Sequence, residues 1–349
     1  MNYSRVYINS LAYELAPEMV SSRELESRLA PLYQKFRIPI GQLAALTGIE
    51  ERRWWPKGFK VSQGAVCAAQ KALAETGLDP KALGALVYTG VCRDQHEPAT
   101  ACAVASAIGI GRGCAVFDIS NACLGVLSGI LDVANRIELG QIRAGMVVSC
   151  ESSREIVEAS IEQMLAEPSM ANFAASLATL TGGSGAVAVV LTDGSLPLTT
   201  SRKHQLLGAS QLAAPEHHQM CQWGFVEVGN RLYREVMRTD AVALLKEGVE
   251  LARQTWEQFL QQRQWLAGQV DKVICHQVGA ANRKQVLGAL GIAEHKEFPT
   301  FARLGNMGTV SLPVSAALAH GEGFLQAGDR VSFLGIGSGL NCMMLGLRW

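Results

Sequence analysis

Apolar residues in this chain follow two alternating rhythms. Short continuous runs, Ala85-Leu86-Val87-Tyr88, Ala115-Val116-Phe117, Met146-Val147-Val148, Ala186 to Leu191, Lys272-Val273-Ile274 and Val331 to Leu334, predict strands covered on both faces. Between them lie longer segments with helical spacing: Ser62 to Thr76, Ala99 to Ile108, Leu124 to Leu139, Thr239 to Arg263 and Asn282 to Leu290. In the third of these, Leu127, Ile130, Leu131, Ala134 and Ile137 share one face, with Asp132, Asn135, Arg136 and Glu138 mostly opposite. Strands alternating with helices predict a layered α/β architecture.

The stretch from Asp193 to about Gly229 is richer in Pro, Gln, Ser and His and reads as a connection. It divides the chain into an N-terminal half (1–193), a connecting segment (194–229) and a C-terminal half (230–349). No fixed-period repeat relates the halves. Residues 160 to 180, with Met164, Pro168, Met170 and Phe173, read as an excursion able to line or cover a pocket.

Composition narrows the function. The 349 residues, 48% hydrophobic, can bury one large core or two fused ones. Lys plus Arg equals Asp plus Glu at 31 each, so there is no basic field to hold a nucleic-acid backbone. The nine cysteines show no C-x-x-C pair, which argues against a zinc site and a disulfide framework. Cys67, Cys102, Cys114, Cys150 and Cys342 have small or apolar neighbours and read as buried packing residues. A reducing cytoplasm is the expected compartment. Met1 to Pro17 does not read as a signal peptide, and no segment reaches the ~18–20 apolar residues of a membrane span.

Cys123 stands where the strand Cys114 to Ile119 gives way, through Ser120-Asn121-Ala122, to a helix. A free cysteine is ordinarily a small core residue. At a strand-to-helix turn, however, it meets uncapped N–H groups and the positive helix end, which are expected to lower the thiol pKa from ~8.5 toward ~7. His276 follows the strand Lys272 to Cys275, at the sheet edge where ligands bind in such folds, although a lone histidine there often serves structure. Asn306, in Leu304-Gly305-Asn306-Met307-Gly308, has an ordinary reading as a turn former. Combined with a reactive cysteine, a histidine and an asparagine could hold an enolate oxygen. Gly335-Ile336-Gly337-Ser338-Gly339 lacks the following helix of a nucleotide loop and suits close backbone approach to a substrate carbonyl. Glu97, before Pro98, is ambiguous, and a carboxylate there is ordinarily a solvated loop residue. No metal-ligand cluster accompanies these residues.

In family order, Thr47-Gly48-Ile49-Glu50-Glu51-Arg52-Arg53, Asn121-Ala122-Cys123, His276-Gln277, Gly305-Asn306 and Gly335 to Gly339 resemble the thiolase-fold condensing enzymes of the β-ketoacyl-acyl-carrier-protein synthase III type. The resemblance implies a homodimer of duplicated βαβαβαββ halves in five layers (αβαβα), with a tunnel leading to Cys123. It implies a ping-pong Claisen condensation without metal or redox cofactor. Cys123 takes an acyl group from a coenzyme A or carrier-protein thioester, His276 and Asn306 hold the enolate, and N–H groups of Cys123 and Gly339 hold the acyl oxygen. Arg52, Arg53, Trp54, Gly305, Ser338 and Leu340 are the expected substrate contacts.

Two departures stand out. The family's arginine for coenzyme A phosphates is replaced by Ala281, leaving Arg283 or Lys284 as substitutes. Glu97 replaces a phenylalanine that closes the partner's acyl pocket. A carboxylate there resembles the subgroup that condenses two acyl chains head to head, as in bacterial olefin synthesis, and its relatives making dialkylresorcinol-type precursors. In that subgroup the glutamate serves the partner's site as base, with desolvation expected to raise its pKa. The expected reaction is therefore head-to-head condensation. Decarboxylative condensation with malonyl-acyl-carrier protein, a cysteine thioester hydrolase and a non-catalytic binding protein are the alternatives.

Overall fold

The computed structural model describes residues 1–229 and 232–349. Its strands are β1 (Tyr7–Leu15), β2 (Glu18–Ser21), β3 (Glu51–Trp54), β4 (Ala85–Thr89), β5 (Ala115–Ile119), β6 (Ala144–Glu151), β7 (Gly185–Thr192), β8 (His204–Ala213), β9 (Cys221–Gly229), β10 (Leu232–Thr239), β11 (Lys272–Cys275), β12 (Arg330–Gly337) and β13 (Asn341–Arg348). Nine of them form one mixed sheet in the order β11-β12-β13-β8-β1-β7-β6-β4-β5, while β2 pairs with β3 and β9 with β10.

The sheet is two copies of one topology. The first run is β1, helix Val61–Thr76, β4, helix Thr100–Ile108, β5, helix Gly125–Glu138, β6 and β7. The second is β8, helix Ala241–Arg263, β11, helix Ala280–Ala289, a parallel bridge from Glu297 to Val273, helix Ser311–Gly321, β12 and β13. Pairing agrees strand for strand: β4 is parallel to β5 and β6, β6 antiparallel to β7, and β7 to β1. Likewise β11 is parallel to β12, β12 antiparallel to β13, and β13 to β8. The strands of the two copies pair at Tyr7–Gln205 and Ile8–His204. Shared topology needs shared burial pattern, not shared residues, so no sequence period marks it.

Burial explains the continuous apolar strands. On β4, Val87 packs inward with Leu127, Ile130, Val147, Val314 and Phe333, while Leu86 and Tyr88 face Ala65, Ala69 and Met146 on the outer side. A third cluster sets Trp256 and Phe259 against Val273, Leu334 and Cys342. Helices Gly125–Glu138 and Ser311–Gly321 thus fill a middle layer between the sheet halves, and the other helices cover both outer faces. The result is a thiolase-like α/β fold. Each of Leu127, Ile130 and Ile137, almost wholly removed from water, contributes ~1.5–3 kcal/mol.

The five helices expected from spacing are present with ends shifted by two residues or fewer. The segment 194–229 is more than a connection, because its residues His204–Ala213 form β8, paired along its length with β13. Its apolar residues stand in short blocks broken by Gln205, Ser210 and Gln211, which hides the strand from a search for apolar runs. Residue 230, where the second half is expected to begin, lies outside the described residues. Strand β1 escapes the same search because Asn9 and Ser10 sit buried in it, their side chains engaged by Thr192 and Glu75. Of the cysteines read as buried, Cys150 and Cys342 are so, but Cys67 and Cys102 are exposed, on helix faces turned to solvent. No helix among the described residues is long and apolar enough to cross a membrane.

Candidate active site

Cys123 lies on a short 3₁₀ turn, Ala122–Leu124, between β5 and the helix Gly125–Glu138. Ala122 has a left-handed φ of 43°, a conformation costing a non-glycine residue ~1–2 kcal/mol. Three contacts hold this turn. Leu124 N–H donates to the Asn121 carbonyl at 2.8 Å, Asn121 Nδ2 donates to Ser128 Oγ at 2.9 Å, and Asn341 Nδ2 donates to Asn121 Oδ1 at 3.2 Å. The glycines of β12 provide the room. A Cβ on Gly335 would stand 2.5 Å from Leu124 Cδ2, and one on Gly337 would stand 3.1 Å from Leu124 Cγ. Gly335 and Gly337 therefore admit the nucleophile's turn against the strand, and Gly337 also reaches the cavity wall.

His276 follows β11, its N–H donating to the Leu334 carbonyl at 2.9 Å. Its side chain is buried and Nδ1 has no hydrogen-bond partner. Gln277 links this loop to the segment leading toward Asn306. Its Nε2 donates to Glu297 at 2.9 Å, and its Oε1 accepts from Thr300 N–H at 3.0 Å. Asn306 is anchored by its own backbone, donating to the Thr181 carbonyl and accepting from Gly183 N–H, both at 2.9 Å. Its Oδ1 accepts from Gly308 N–H at 3.0 Å, which leaves the carboxamide NH₂ to face outward.

Cys123, His276, Asn306, Ser338 and Leu340 all line one cavity of about 250 Å³. Its remaining wall is mostly apolar, from Leu177, Met237, Leu244, Gly248, Val249 and Ile336, with Thr181 and Cys221 among the exceptions. Most of these lay outside the sequence reading. The excursion at 160–180 is in place through Leu177 and Ala178, but the wall from β9, β10 and the following helix had no signal beyond ordinary helical spacing.

Electrostatics reverse one expectation. Burial pushes the Cys123 thiol up to about 12, helped by Cys221 and Glu151 nearby, although one side of the residue opens on the cavity. A helix terminus supplies on the order of 0.3–2 kcal/mol, against ~1.4 kcal/mol per pKa unit, so desolvation wins. Burial also lowers His276 to about 4, leaving a neutral imidazole at pH 7. The resting pair is thus a neutral thiol and a neutral base.

Several expected substrate contacts belong to the scaffold. Arg52 is fully buried and donates to the carbonyls of Val20 and Leu180 and to Ser22 Oγ, with its pKa lowered to about 10 by burial. Trp54 Nε1 donates to the Gly182 carbonyl at 3.2 Å. Arg53 lies in β3, its carbonyl accepting from Ser184 N–H, and it does not line the cavity. Gly305, at φ 66°, passes so close to Thr181 that a Cβ would stand 2.5 Å from its carbonyl oxygen. Arg283 is occupied by Glu294 and Glu297 at 2.6 Å each, so it is no free phosphate ligand. Glu97 is exposed and does not line the cavity. Gly339 takes a φ of 132° beside Asn341, between Ser338 and Leu340 of the cavity wall. Among the described residues no three His, Cys, Asp or Glu side chains form a metal cluster.

Comparison with known proteins agrees with this architecture. Residues 260–349 match the family model described as 3-oxoacyl-[acyl-carrier-protein (ACP)] synthase III C terminal. The chain is 76% identical to the acyl-CoA:acyl-CoA alkyltransferase of Shewanella oneidensis over all of both chains. It superposes on OleA of Xanthomonas campestris carrying a glutamate-to-glutamine replacement with a TM-score of 0.92, at 32% identity, covering 100% of this chain and 98% of that one. A cysteine-to-serine variant of the same OleA, with bound lauric acid and lauroyl-CoA, matches with a TM-score of 0.92 at 32% identity, covering 99% and 100%. Identity that high across the whole length, together with a cysteine, histidine and asparagine on one apolar cavity, shows that the chain belongs to the acyl-CoA:acyl-CoA alkyltransferase family of thiolase-fold condensing enzymes.

Proposed function

We propose that the protein joins two acyl-CoA thioesters head to head, through an acyl group carried on Cys123. The observation that carries this reading is the shared cavity, where Cys123, His276 and Asn306 meet a wall apolar enough for alkyl chains. In the first half-reaction the Cys123 sulfur attacks the thioester carbonyl, and its proton passes to neutral His276 and then to the leaving thiolate of coenzyme A. The N–H groups of Cys123 and Gly339 hold the oxyanion.

In the second half-reaction a base removes an α-proton from a second acyl-CoA. His276 and the outward NH₂ of Asn306 hold the enolate oxygen while its carbon attacks the acyl-Cys123 carbonyl, and the Cys123 sulfur leaves. No carbon dioxide is lost and no redox cofactor or metal enters the balance. With no carboxylate leaving, a base is required, and Glu97 from the partner protomer fills that role. Two facts support this assignment. The residues replaced in the two OleA structures, a glutamate and a cysteine, stand as far apart in that sequence as Glu97 and Cys123 do here. Strand β5 forms a sheet edge, half-exposed along its length, which antiparallel pairing with a second β5 would cover. Asp118 on β5 accepts from Thr100 and Ala101 N–H at 2.9 Å each, tying the end of the Glu97 loop to that edge.

The test is intact-protein mass spectrometry after incubation with acyl-CoA and acyl-carrier-protein thioesters of increasing length, with product analysis. A β-keto product without malonyl groups and an acyl adduct on Cys123 are expected. Free acid alone would indicate a hydrolase, and no adduct across the panel would indicate a binding protein. Undiminished condensation by Glu97→Ala would remove Glu97 from the mechanism.

A further inference from the structure

Glu151, the last residue of β6, is a buried carboxylate to which the reaction gives no part, and no cation pairs with it among the described residues. Its oxygens accept backbone N–H groups from Val91 at 3.0 Å and Cys92 at 3.1 Å, and the Gly308–Thr309 backbone packs against the same carboxyl group. The next residue repeats the tie: Ser152 N–H donates to Cys92 Sγ at 3.4 Å, and Cys92 Sγ donates to the Ser152 carbonyl at 3.3 Å. Two glycines permit the approach. A Cβ on Gly90, at φ 147°, would stand 3.1 Å from Glu151 Oε1, and one on Gly308, at φ 56°, would stand 3.3 Å from its Cδ.

These contacts join three functional segments. Gly90 to Cys92 begin the loop that runs to Glu97. Gly308 and Thr309 close the turn that carries Asn306, and Gly308 is the residue whose N–H orients the Asn306 carboxamide. Thr309 Oγ1 in turn accepts from Val126 N–H at 2.7 Å, in the first turn of the helix behind Cys123. Burial raises the Glu151 pKa, and the bonds that satisfy a buried carboxyl group fix the loop that donates them against the turn packed on its other side.

We propose that Glu151 is a positioning residue that holds the Asn306 turn and the start of the Glu97 loop in one geometry, and so serves carbon–carbon bond formation more than acyl loading. The inference rests on the reading above for Asn306 and Glu97. Acyl transfer to Cys123 needs the turn at 121–124 and the oxyanion donors, which hold each other through Asn121 and Asn341. Condensation needs the two groups that Glu151 ties together. Displacements of about 1 Å in such groups cost about a hundredfold in rate.

The test measures the half-reactions separately in Glu151→Gln and Glu151→Asp, with Glu97→Ala in parallel. Cys123 acylation is read by single-turnover mass spectrometry and condensation by product formation. For Glu151→Gln, the condensation kcat is expected to fall about ten- to hundredfold, with KM for acyl-CoA and the acylation rate changed less than about threefold. Glu151→Asp, which keeps the carboxyl group but retracts it, is expected to recover part of the loss. Equal loss in both half-reactions, or no loss in either, would overturn the proposal. If Glu151→Gln does not fold, Glu151→Asp is judged by the same criterion, a loss confined to condensation. Glu97→Ala that condenses at the wild-type rate would defeat the Glu97 reading instead, leaving a split in Glu151→Gln to act through Asn306 alone.

Discussion

Asn306 Oδ1 accepts the N–H of Gly308 at 3.0 Å, and this one bond decides which end of the carboxamide meets a substrate. With the oxygen engaged, only the NH₂ is free to stabilise an enolate. Asn306→Asp puts a carboxylate oxygen in place of that donor. Condensation is expected to fall by about 10²–10³ with acyl loading of Cys123 less affected. Comparing product formation with adduct formation checks it, and parallel losses would argue against an enolate-binding role.

The Cys123 thiol, pushed up to about 12 by burial, is not a resting thiolate. Alkylation by iodoacetamide is expected to be slow at pH 7 and to climb through at least pH 9. Peptide mass spectrometry across this range reads the profile. A rate that levels off below pH 8 would show that the helix end outweighs desolvation after all.

Buried His276 and His204 are both lowered to about 4 from an ordinary value near 6.5. The unfolded chain therefore binds more protons than the folded one between those values, so stability is lost as pH falls from about 6.5 toward about 4. His204 stacks on Trp349 with centroids 3.8 Å apart, far from the cavity wall described above. Replacing His204 with Gln is expected to flatten the pH dependence of the urea midpoint between pH 7 and pH 5. An unchanged slope would mean that other groups govern acid stability.

Gly335→Ala would place a methyl 2.5 Å from Leu124 Cδ2 and press on the helix behind Cys123. Overpacking of this kind costs about 1–3 kcal/mol. Chemical denaturation and the Cys123 acylation rate should both report it, the second because the nucleophile's turn must move. Wild-type values for both would show that the two elements can separate freely.

Arg52, read from sequence as a substrate contact, is enclosed by Val20, Ser22 and Leu180. Arg52→Ala would strand these acceptors and leave a cavity. A loss of roughly 2–5 kcal/mol in stability is expected, with KM for acyl-CoA in the folded fraction unchanged. A raised KM without loss of stability would restore the binding role.

The linear order of residues was enough to reveal the layers and to put three polar candidates on one cavity wall. Strands buried on both faces must be apolar throughout, and helices on a sheet must show one apolar face, so β4, β6, β7 and the helix after Cys123 were legible. The positions of Cys123, His276 and Asn306 at element ends were legible for the same reason. Strands β1 and β8 were not, since Asn9 and Ser10 in one, and Gln205, Ser210 and Gln211 in the other, have meaning only beside their partners. Folding decided what sequence order cannot carry. It made Arg52 a strut, turned the Gly335 to Gly337 run into space for Leu124, raised the Cys123 thiol by enclosing it, and set Glu151 among three loops. Periodicity records which face of an element is dry, a local property. Desolvation, close approach and hydrogen-bond partners depend on residues far apart in the chain, and exist only once those segments are in contact.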